Sequence, residues 1–252
     1  MILHLLTVLA AAATAPSAGG RCPDVLNVES LVCRATEAGQ RGAFRESAEG
    51  FERAAETKRA TGAVAGDPEI DRLLAAAGNM WIAAGDPAKA AAALDKALAG
   101  TGLVAEQRGE ALLDRARAAE AAGDLKTARV KVNEAMGTIA KDPFAWYFSA
   151  ALALREGNPK DAERMIGEAL ALAPADPTLL FEAGHIAEAN GDVPGARMYW
   201  QRAIERDPRG ATGRAAREAL AMLPVPLTVT DRVAAPDPQG EAEEAASDQP
   251  RS

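Results

Sequence analysis

A glycine-centred turn recurs along the chain and constrains its fold more than any other feature. Between successive turn glycines the chain runs 43, 38, 34 and 34 residues. The turn glycines are Gly42, Gly85, Gly123, Gly157 and Gly191. Glycine accepts the left-handed backbone conformation that ends a helix, and an Asp or Asn after it caps the next helix. The spacing therefore predicts pairs of helices joined by short turns, repeated with a period near 34 residues.

Proline marks helix starts in the same register. Its missing N–H costs nothing at the first helical position, so a cap residue followed by proline indicates a helix N-terminus. Asp-Pro pairs at 67–68, 142–143 and 176–177 predict the starts of three first helices, and Pro87 and Pro159 occupy the same position in two second helices. These signals agree with the glycine turns.

Side-chain size alternates at fixed distances from each turn glycine. Large apolar residues lie ten or eleven positions before it (Leu31, Leu74, Leu112, Trp146 and Leu180) and nine positions after it (Phe51, Leu94, Val132, Ile166 and Trp200). Alanine lies twelve positions after the turn glycine in every repeat. Small residues fill the points where the two helices of a repeat are predicted to approach most closely. In the first helices these are Ala35, Gly78, Ala116, Ala150 and Gly184, and in the second helices Ser47, Ala90, Ala128, Ala162 and Ala196. This pattern predicts bulky side chains packed between helices and small ones where backbones nearly touch.

The repeat resembles the tetratricopeptide-repeat (TPR) family over residues 24–208, and most closely over 142–208, where Pro174 and Pro208 match the family's repeat-ending proline. The first two repeats depart from the family by longer connections at 61–67 and 100–102. The resemblance implies an all-α, right-handed superhelical TPR solenoid of about five helix-turn-helix repeats. An amphipathic segment at 214–223 predicts a C-terminal capping helix, so that the solenoid spans 24–223.

The two ends of the chain have different compositions. Residues 2–15 are apolar except for His4 and Thr7. This run is too short for a membrane span and fits the core of a secretory signal peptide, which we predict over residues 1–20. No Lys or Arg precedes this run, so the alternatives are an uncleaved helix that holds the protein at a membrane and an incorrectly assigned start site. Residues 224–252 carry six acids against Arg232 and Arg251 and predict a disordered acidic tail.

Only two cysteines occur, Cys22 and Cys33. In an exported protein they meet oxidising conditions, so a disulfide at the N-terminal edge is predicted, with Asp24 as the cap of the first helix. The alternative is a buried Cys33 and a free Cys22. Two cysteines and two distant histidines do not form a metal-ligand set, so no metal is expected.

The residue inventory argues against catalysis. With His4 in the predicted signal peptide, His185 is the one histidine left for a catalytic triad, and no phosphate-binding or dinucleotide-binding glycine motif is present. We therefore predict no enzymatic activity and no cofactor. The net charge of −8 argues against a nucleic-acid partner, because such partners require clustered Lys and Arg.

In TPR proteins the first helix of each repeat lines the concave face, so the resemblance implies a groove with known positions. Its predicted binding residues are Asn79, Arg117, Phe144, Tyr147, Phe181 and His185. The other positions on this face are Glu29, Val32, Thr36, Arg72, Ala75, Glu110, Leu113, Ala151 and Thr178. The rings of Phe144, Tyr147 and Phe181 are typical anchors for a bound peptide, with ordinary packing between the fourth and fifth repeats as the alternative.

Asn79 and Arg117 match two of the five residues that hold a terminal carboxylate in chaperone-binding TPR domains. Val32, Thr36 and Leu113 replace the other three, so a chaperone-tail receptor is disfavoured. Arg117 is expected to pair either with an acidic group of a ligand or with Glu110 or Glu120 of its own helix.

Together these features predict a protein-interaction module of a bacterial cell envelope. It would bind a segment of a protein or peptide partner in the groove, in the periplasm, without stable membrane insertion once the signal is removed. The alternative is a structural subunit that self-associates as a homo-oligomer through the ends of its solenoid.

Overall fold

The computed structural model describes residues 22–63 and 66–223, and this part of the chain folds into eleven α-helices without a strand. The helices are α1 Val28–Gln40, α2 Phe44–Ala60, α3 Pro68–Ala83, α4 Pro87–Ala99, α5 Ala105–Ala121, α6 Leu125–Ile139, α7 Pro143–Arg155, α8 Pro159–Leu172, α9 Pro177–Ala189, α10 Val193–Arg206 and α11 Ala211–Met222. None of these helices is long and apolar enough to cross a membrane. The predicted signal peptide and acidic tail lie outside the described residues.

Consecutive helices pair into five helix-turn-helix units, and α11 packs on α10 at the end of the array. The first helices of neighbouring units also contact one another, since α3 contacts α5 and α7 contacts α9. First helices therefore form the inner layer of the array. The predicted all-α solenoid of five repeats with a capping helix is confirmed.

All five predicted turn glycines adopt the left-handed backbone conformation, with φ between 73° and 83°. No atom lies within 4 Å of the position that a Cβ would take at any of them. The backbone, and not crowding, thus requires glycine at these turns.

Most of the predicted caps are present. The carboxylates of Asp67, Asp142 and Asp176 accept backbone N–H groups at the starts of α3, α7 and α9. The cap predicted at Asp24 was wrong, because α1 starts at Val28 and the side chain of Asn27 accepts from the N–H of Ser30 at 2.9 Å.

The capping helix α11 starts at Ala211, three residues before the predicted start at Arg214. An aspartate outside the helix explains this start. The carboxylate of Asp207 accepts the N–H groups of Thr212 and Gly213 at 3.2 and 3.3 Å, which satisfies donors that the helix itself leaves free.

The long connection between α4 and α5 is held by a buried carboxylate. Asp71 of α3 is only 6% exposed and accepts the backbone N–H of Gly102 at 2.9 Å. A Cβ at Gly100 would lie about 2 Å from the same carboxylate. The departure from the family pattern at 100–102 is therefore a structured loop that docks on the preceding repeat.

The small and bulky positions interlock as the size pattern predicts. A Cβ at Gly78 would lie 2.4 Å from Cγ of Leu94, and one at Gly184 would lie 2.2 Å from Nε1 of Trp200. Trp200 is 1% exposed and Leu94 is fully buried. The alanines twelve positions after each turn glycine are also fully buried: Ala54, Ala97, Ala135, Ala169 and Ala203. In the second and fifth repeats the second helix thus inserts a large side chain where its own first helix has a glycine.

Candidate peptide-binding groove

The six predicted groove residues lie on four successive first helices. Asn79 belongs to α3, Arg117 to α5, Phe144 and Tyr147 to α7, and Phe181 and His185 to α9. All six side chains are half-buried. Leu113, predicted at the same face of α5, is only 4% exposed, because its side chain belongs to the core that α5 forms with α6 and α7. We therefore exclude it from the groove.

The aromatic groove residues form two pairs. The ring centroids of Phe144 and Tyr147 are 5.6 Å apart on α7, and those of Phe181 and His185 are 4.6 Å apart on α9. His185 also contacts the ring of buried Trp200, at 5.2 Å. These are favourable edge and tilted arrangements, and they hold the half-exposed rings in place.

Tyr147 is surrounded by apolar groups and by negative charge. Burial, together with the carboxylates of Glu182 and Asp176, raises the pKa of its hydroxyl to about 12. The ring packs against the core formed by α7, α8 and α9. Tyr147 thus stays a neutral hydrogen-bonding group beside two carboxylates.

Asn79 and Arg117 meet at a third residue, Asp114, which is only 6% exposed. Nδ2 of Asn79 donates to one carboxylate oxygen at 2.8 Å, and Nη1 of Arg117 donates to the other at 2.7 Å. Arg117 therefore pairs with neither Glu110 nor Glu120, which were the partners expected on its own helix. Burial raises the pKa of Asp114, and the charge of Arg117 and the bond from Asn79 oppose that rise.

This hydrogen-bond network changes the interpretation of Asn79 and Arg117 as residues that would hold the terminal carboxylate of a ligand. The donors of Asn79 and Arg117 already satisfy a buried carboxylate that links the second and third repeats. One N–H of each side chain is therefore engaged, and a terminal carboxylate of a ligand would lie close to the negative charge of Asp114. The pair is thus first a structural link between α3 and α5.

A half-buried carboxyl lies one turn before Asp114. Burial raises the pKa of Glu110 to about 7, and the nearby charges of Glu106, Asp114 and Asp142 add to that rise. Burial likewise raises the pKa of Asp142, although the carboxylate accepts the N–H of Phe144 at 2.9 Å. Negative charge therefore gathers around the start of α7.

Sequence reasoning missed two groups of this site, Asp114 and Glu182. Both lie one position after a predicted groove residue, Leu113 and Phe181, on the same helices. The family pattern points to one groove residue per helical turn and so passes over these two acids. A helical wheel drawn for α5 and α9 would have placed these acids at the edge of the same face.

At the N-terminal edge, Cys22 and Cys33 are joined by a disulfide bond, with their Cα atoms 5.7 Å apart. The guanidinium of Arg34 donates to the carbonyl oxygens of Pro23 and Val25, at 2.9 and 3.2 Å. Covalent and polar contacts thus fold the segment before α1 back onto that helix.

Comparison with solved structures shows the TPR fold. PilW, described as a widely conserved type IV pilus biogenesis factor, superposes with a TM-score of 0.63 at 19% identity, over 76% of this chain and 83% of its own. YrrB, described as a TPR protein with an unusual peptide-binding site, gives 0.53 at 14% identity, over 76% of this chain and 92% of its own.

TTC0263, a thermophilic TPR protein of Thermus thermophilus, gives a TM-score of 0.58 at 18% identity, over 78% of this chain and all of its own. No family model and no curated protein matches the sequence. The chain is therefore a TPR solenoid by fold, at identities that define the architecture and not the ligand.

Proposed function

We propose that this protein is a non-enzymatic interaction module that holds an extended segment of a partner protein in its groove. One observation carries the proposal. Four ring side chains, those of Phe144, Tyr147, Phe181 and His185, lie half-exposed on the inner helices of two adjacent repeats. Rings held by their neighbours bind without much further loss of side-chain freedom, and such residues dominate binding energies at protein interfaces.

The fold supports this function in general terms. The inner layer of a solenoid offers a long surface built from successive repeats, which suits an extended chain. YrrB, a structural neighbour, is described as having a peptide-binding site.

For cellular location we infer export to a bacterial cell envelope. The apolar run at 2–15 supports a cleaved leader, and the disulfide supports an oxidising compartment. A structural neighbour, PilW, is a pilus biogenesis factor. Mass spectrometry of the mature protein from its natural host tests this location. A chain that retains residues 1–15 would contradict cleavage.

Affinity capture with matched variants tests the groove. We expect Tyr147→Ala with Phe181→Ala to lose the partner that the unaltered chain retains, with a loss of binding of about 10-fold or more. Val130→Ala with Met198→Ala is the control, because these side chains are 48% and 45% exposed on the second helices α6 and α10. A partner that is lost equally from both double variants would contradict binding in the groove.

A second candidate, self-association through the ends of the solenoid, is favoured by exposed apolar side chains at both ends. Leu26 and Val25 are 88% and 51% exposed before α1, and Met222 is 85% exposed at the end of α11. Light scattering over a range of concentrations decides between the two. A monomer at every concentration would exclude self-association, whereas a dimer that Leu26→Ser dissociates would support it.

A further inference from the structure

The charge around the aromatic groove residues is unbalanced. Every Lys or Arg of the inner helices α5, α7 and α9 already has an acceptor: Arg108 with the carbonyl of Leu98, Arg115 with Asp95, Arg117 with Asp114, and Arg155 with Glu120. Helix α9 contains neither Lys nor Arg. The inner helices next to the rings therefore offer no lysine or arginine that is not already engaged.

The carboxylates beside the rings are in the opposite situation. Within residues 22–63 and 66–223, neither Glu110 nor Glu182 forms an ion pair, and both are half-buried. Asp142 accepts the N–H of Phe144 and has no ion pair in the same part of the chain. Burial raises the pKa of Glu110 and of Glu182, although the nearby His185 opposes the rise at Glu182, so the charged forms of both carboxyls are poorly solvated.

The rings themselves suit a cationic side chain. The guanidinium carbon of Arg117 already lies 5.8 Å from the ring centroid of Phe144. The aliphatic stems of Lys and Arg pack on aromatic faces while their charged ends reach a nearby carboxylate. The carboxylates of Glu182 and Asp176 lie near the hydroxyl of Tyr147 and help to raise its pKa, and the carboxylate of Asp142 accepts the backbone N–H of Phe144.

From this arrangement, and resting on the proposed function, we propose that the groove selects an extended segment with basic residues. Their stems would lie on Phe144, Tyr147 and Phe181, and their charges would face Glu110, Asp142 and Glu182. Acidic segments are disfavoured, including residues 224–252 of this chain, which carry six acids against two arginines. This preference is opposite to that of chaperone-binding TPR domains, which hold a negatively charged terminal carboxylate.

Fluorescence anisotropy with three labelled peptides tests the preference on the full mature chain. The first peptide alternates Lys with Phe, the second has each Lys replaced by Gln, and the third has each Lys replaced by Glu. We expect the Lys peptide to bind tightest, with an affinity that falls as salt is raised. Glu110→Gln and Glu182→Gln should each weaken it about 3- to 10-fold, whereas Glu168→Gln on the exposed face of α8 should not.

The outcomes separate this inference from the function on which it rests. Binding of the Gln or Glu peptide at least as tight as that of the Lys peptide, and still lost in Tyr147→Ala, overturns the basic preference and keeps the groove. If a peptide binds and neither Tyr147→Ala nor Phe181→Ala changes its affinity, the proposal that partners bind in the groove is overturned as well. Failure of all three peptides to bind overturns the basic preference alone, since the partner capture described above remains a separate test. Circular dichroism of each variant excludes misfolding as the cause of a loss.

Discussion

Single residues decide how closely the two helices of a repeat can approach. Gly184 faces the indole of Trp200, whose Nε1 donates to the carbonyl oxygen of Phe181 at 3.1 Å. That bond holds the indole, so Trp200 cannot rotate away from an added methyl group. Gly167 of α8 is also in a helix interior, but no atom lies within 4 Å of its Cβ position.

These two glycines give a matched stability prediction. We expect Gly184→Ala to lower the free energy of unfolding by about 1–3 kcal/mol, because the methyl group overpacks the contact with Trp200. Gly167→Ala should raise it by about 0.5–1 kcal/mol, because alanine loses less backbone entropy in a helix. Urea denaturation measures both. Equal effects of the same sign at the two positions would contradict the close approach.

Glu110 gives a prediction for pH dependence. Its pKa is raised to about 7, so the folded state holds a proton that the unfolded state releases between about pH 4.5 and pH 7. The unfolded state binds fewer protons in this window, so the contribution of Glu110 lowers stability as the pH rises. Below about pH 4.5 the carboxyl of Glu110 is protonated in both states, so it does not change the free energy of unfolding.

We therefore expect Glu110→Gln to stabilise the protein at pH 8 by about 1 kcal/mol, a value reduced because the group is half-exposed. At pH 4 the variant and the unaltered chain should have nearly the same stability. Thermal unfolding at the two pH values measures the difference. A variant that is destabilised at pH 8 would show that the carboxylate is well compensated in the folded state.

At the scale of helices, buried carboxylates join elements that the repeat pattern leaves separate. Asp71 of α3 holds the loop before α5, and Asp114 of α5 receives donors from Asn79 of α3 and from Arg117. Such groups are costly when unpaired and stabilise a particular arrangement when every bond is made.

Two Asp–Arg pairs of equal length allow a test of this cost. Asp114 is buried and bonds Arg117 at 2.7 Å, whereas Asp95 has a half-exposed side chain and bonds Arg115 at 2.7 Å. We expect Asp114→Ala to cost about 2–4 kcal/mol, since it leaves two half-buried donors without an acceptor. Asp95→Ala should cost at most about 1 kcal/mol. Chemical denaturation compares them, and similar costs would contradict a structural role for Asp114.

The helices, turns and small-to-large contacts were predictable from the sequence, because glycine, proline, cap and size signals recur at one spacing. The start of α1 was not, since Asp24 and Asn27 are both good caps and only the folded chain selects between them. The partners of Asn79 and Arg117 were not predictable either. They depend on Asp114, which the family pattern passes over, and on the packing of α3 against α5, which brings Asn79 to it.

At the scale of the whole molecule, the buried side chains form a series of cores in chain order. One core involves α1 to α5, and others form around α5 to α7, α7 to α9 and α9 to α11. Each core depends on neighbouring repeats alone, so a local disturbance should not spread far.

The disulfide provides a test of this independence. We expect reduction of the bond between Cys22 and Cys33 to accelerate amide hydrogen exchange in α1 and α2. Helix α1 contains Cys33, and α1 and α2 contribute side chains to the same core. Exchange in α9 and α10 should not change, because their buried side chains belong to other cores. Hydrogen exchange read by mass spectrometry measures both regions. Faster exchange throughout the chain would indicate a single cooperative unit.

The bond from Asn79 to Asp114 also bears on how such an array lengthens or shortens in evolution. Duplication or loss of a whole repeat leaves most contacts of a solenoid intact, because each unit meets a similar neighbour. A unit gained between the second and third repeats would instead part Asn79 from Asp114 and leave a buried carboxylate short of a donor. We therefore expect a unit gained at this junction to cost stability, and copying to be better tolerated at junctions without such a bond.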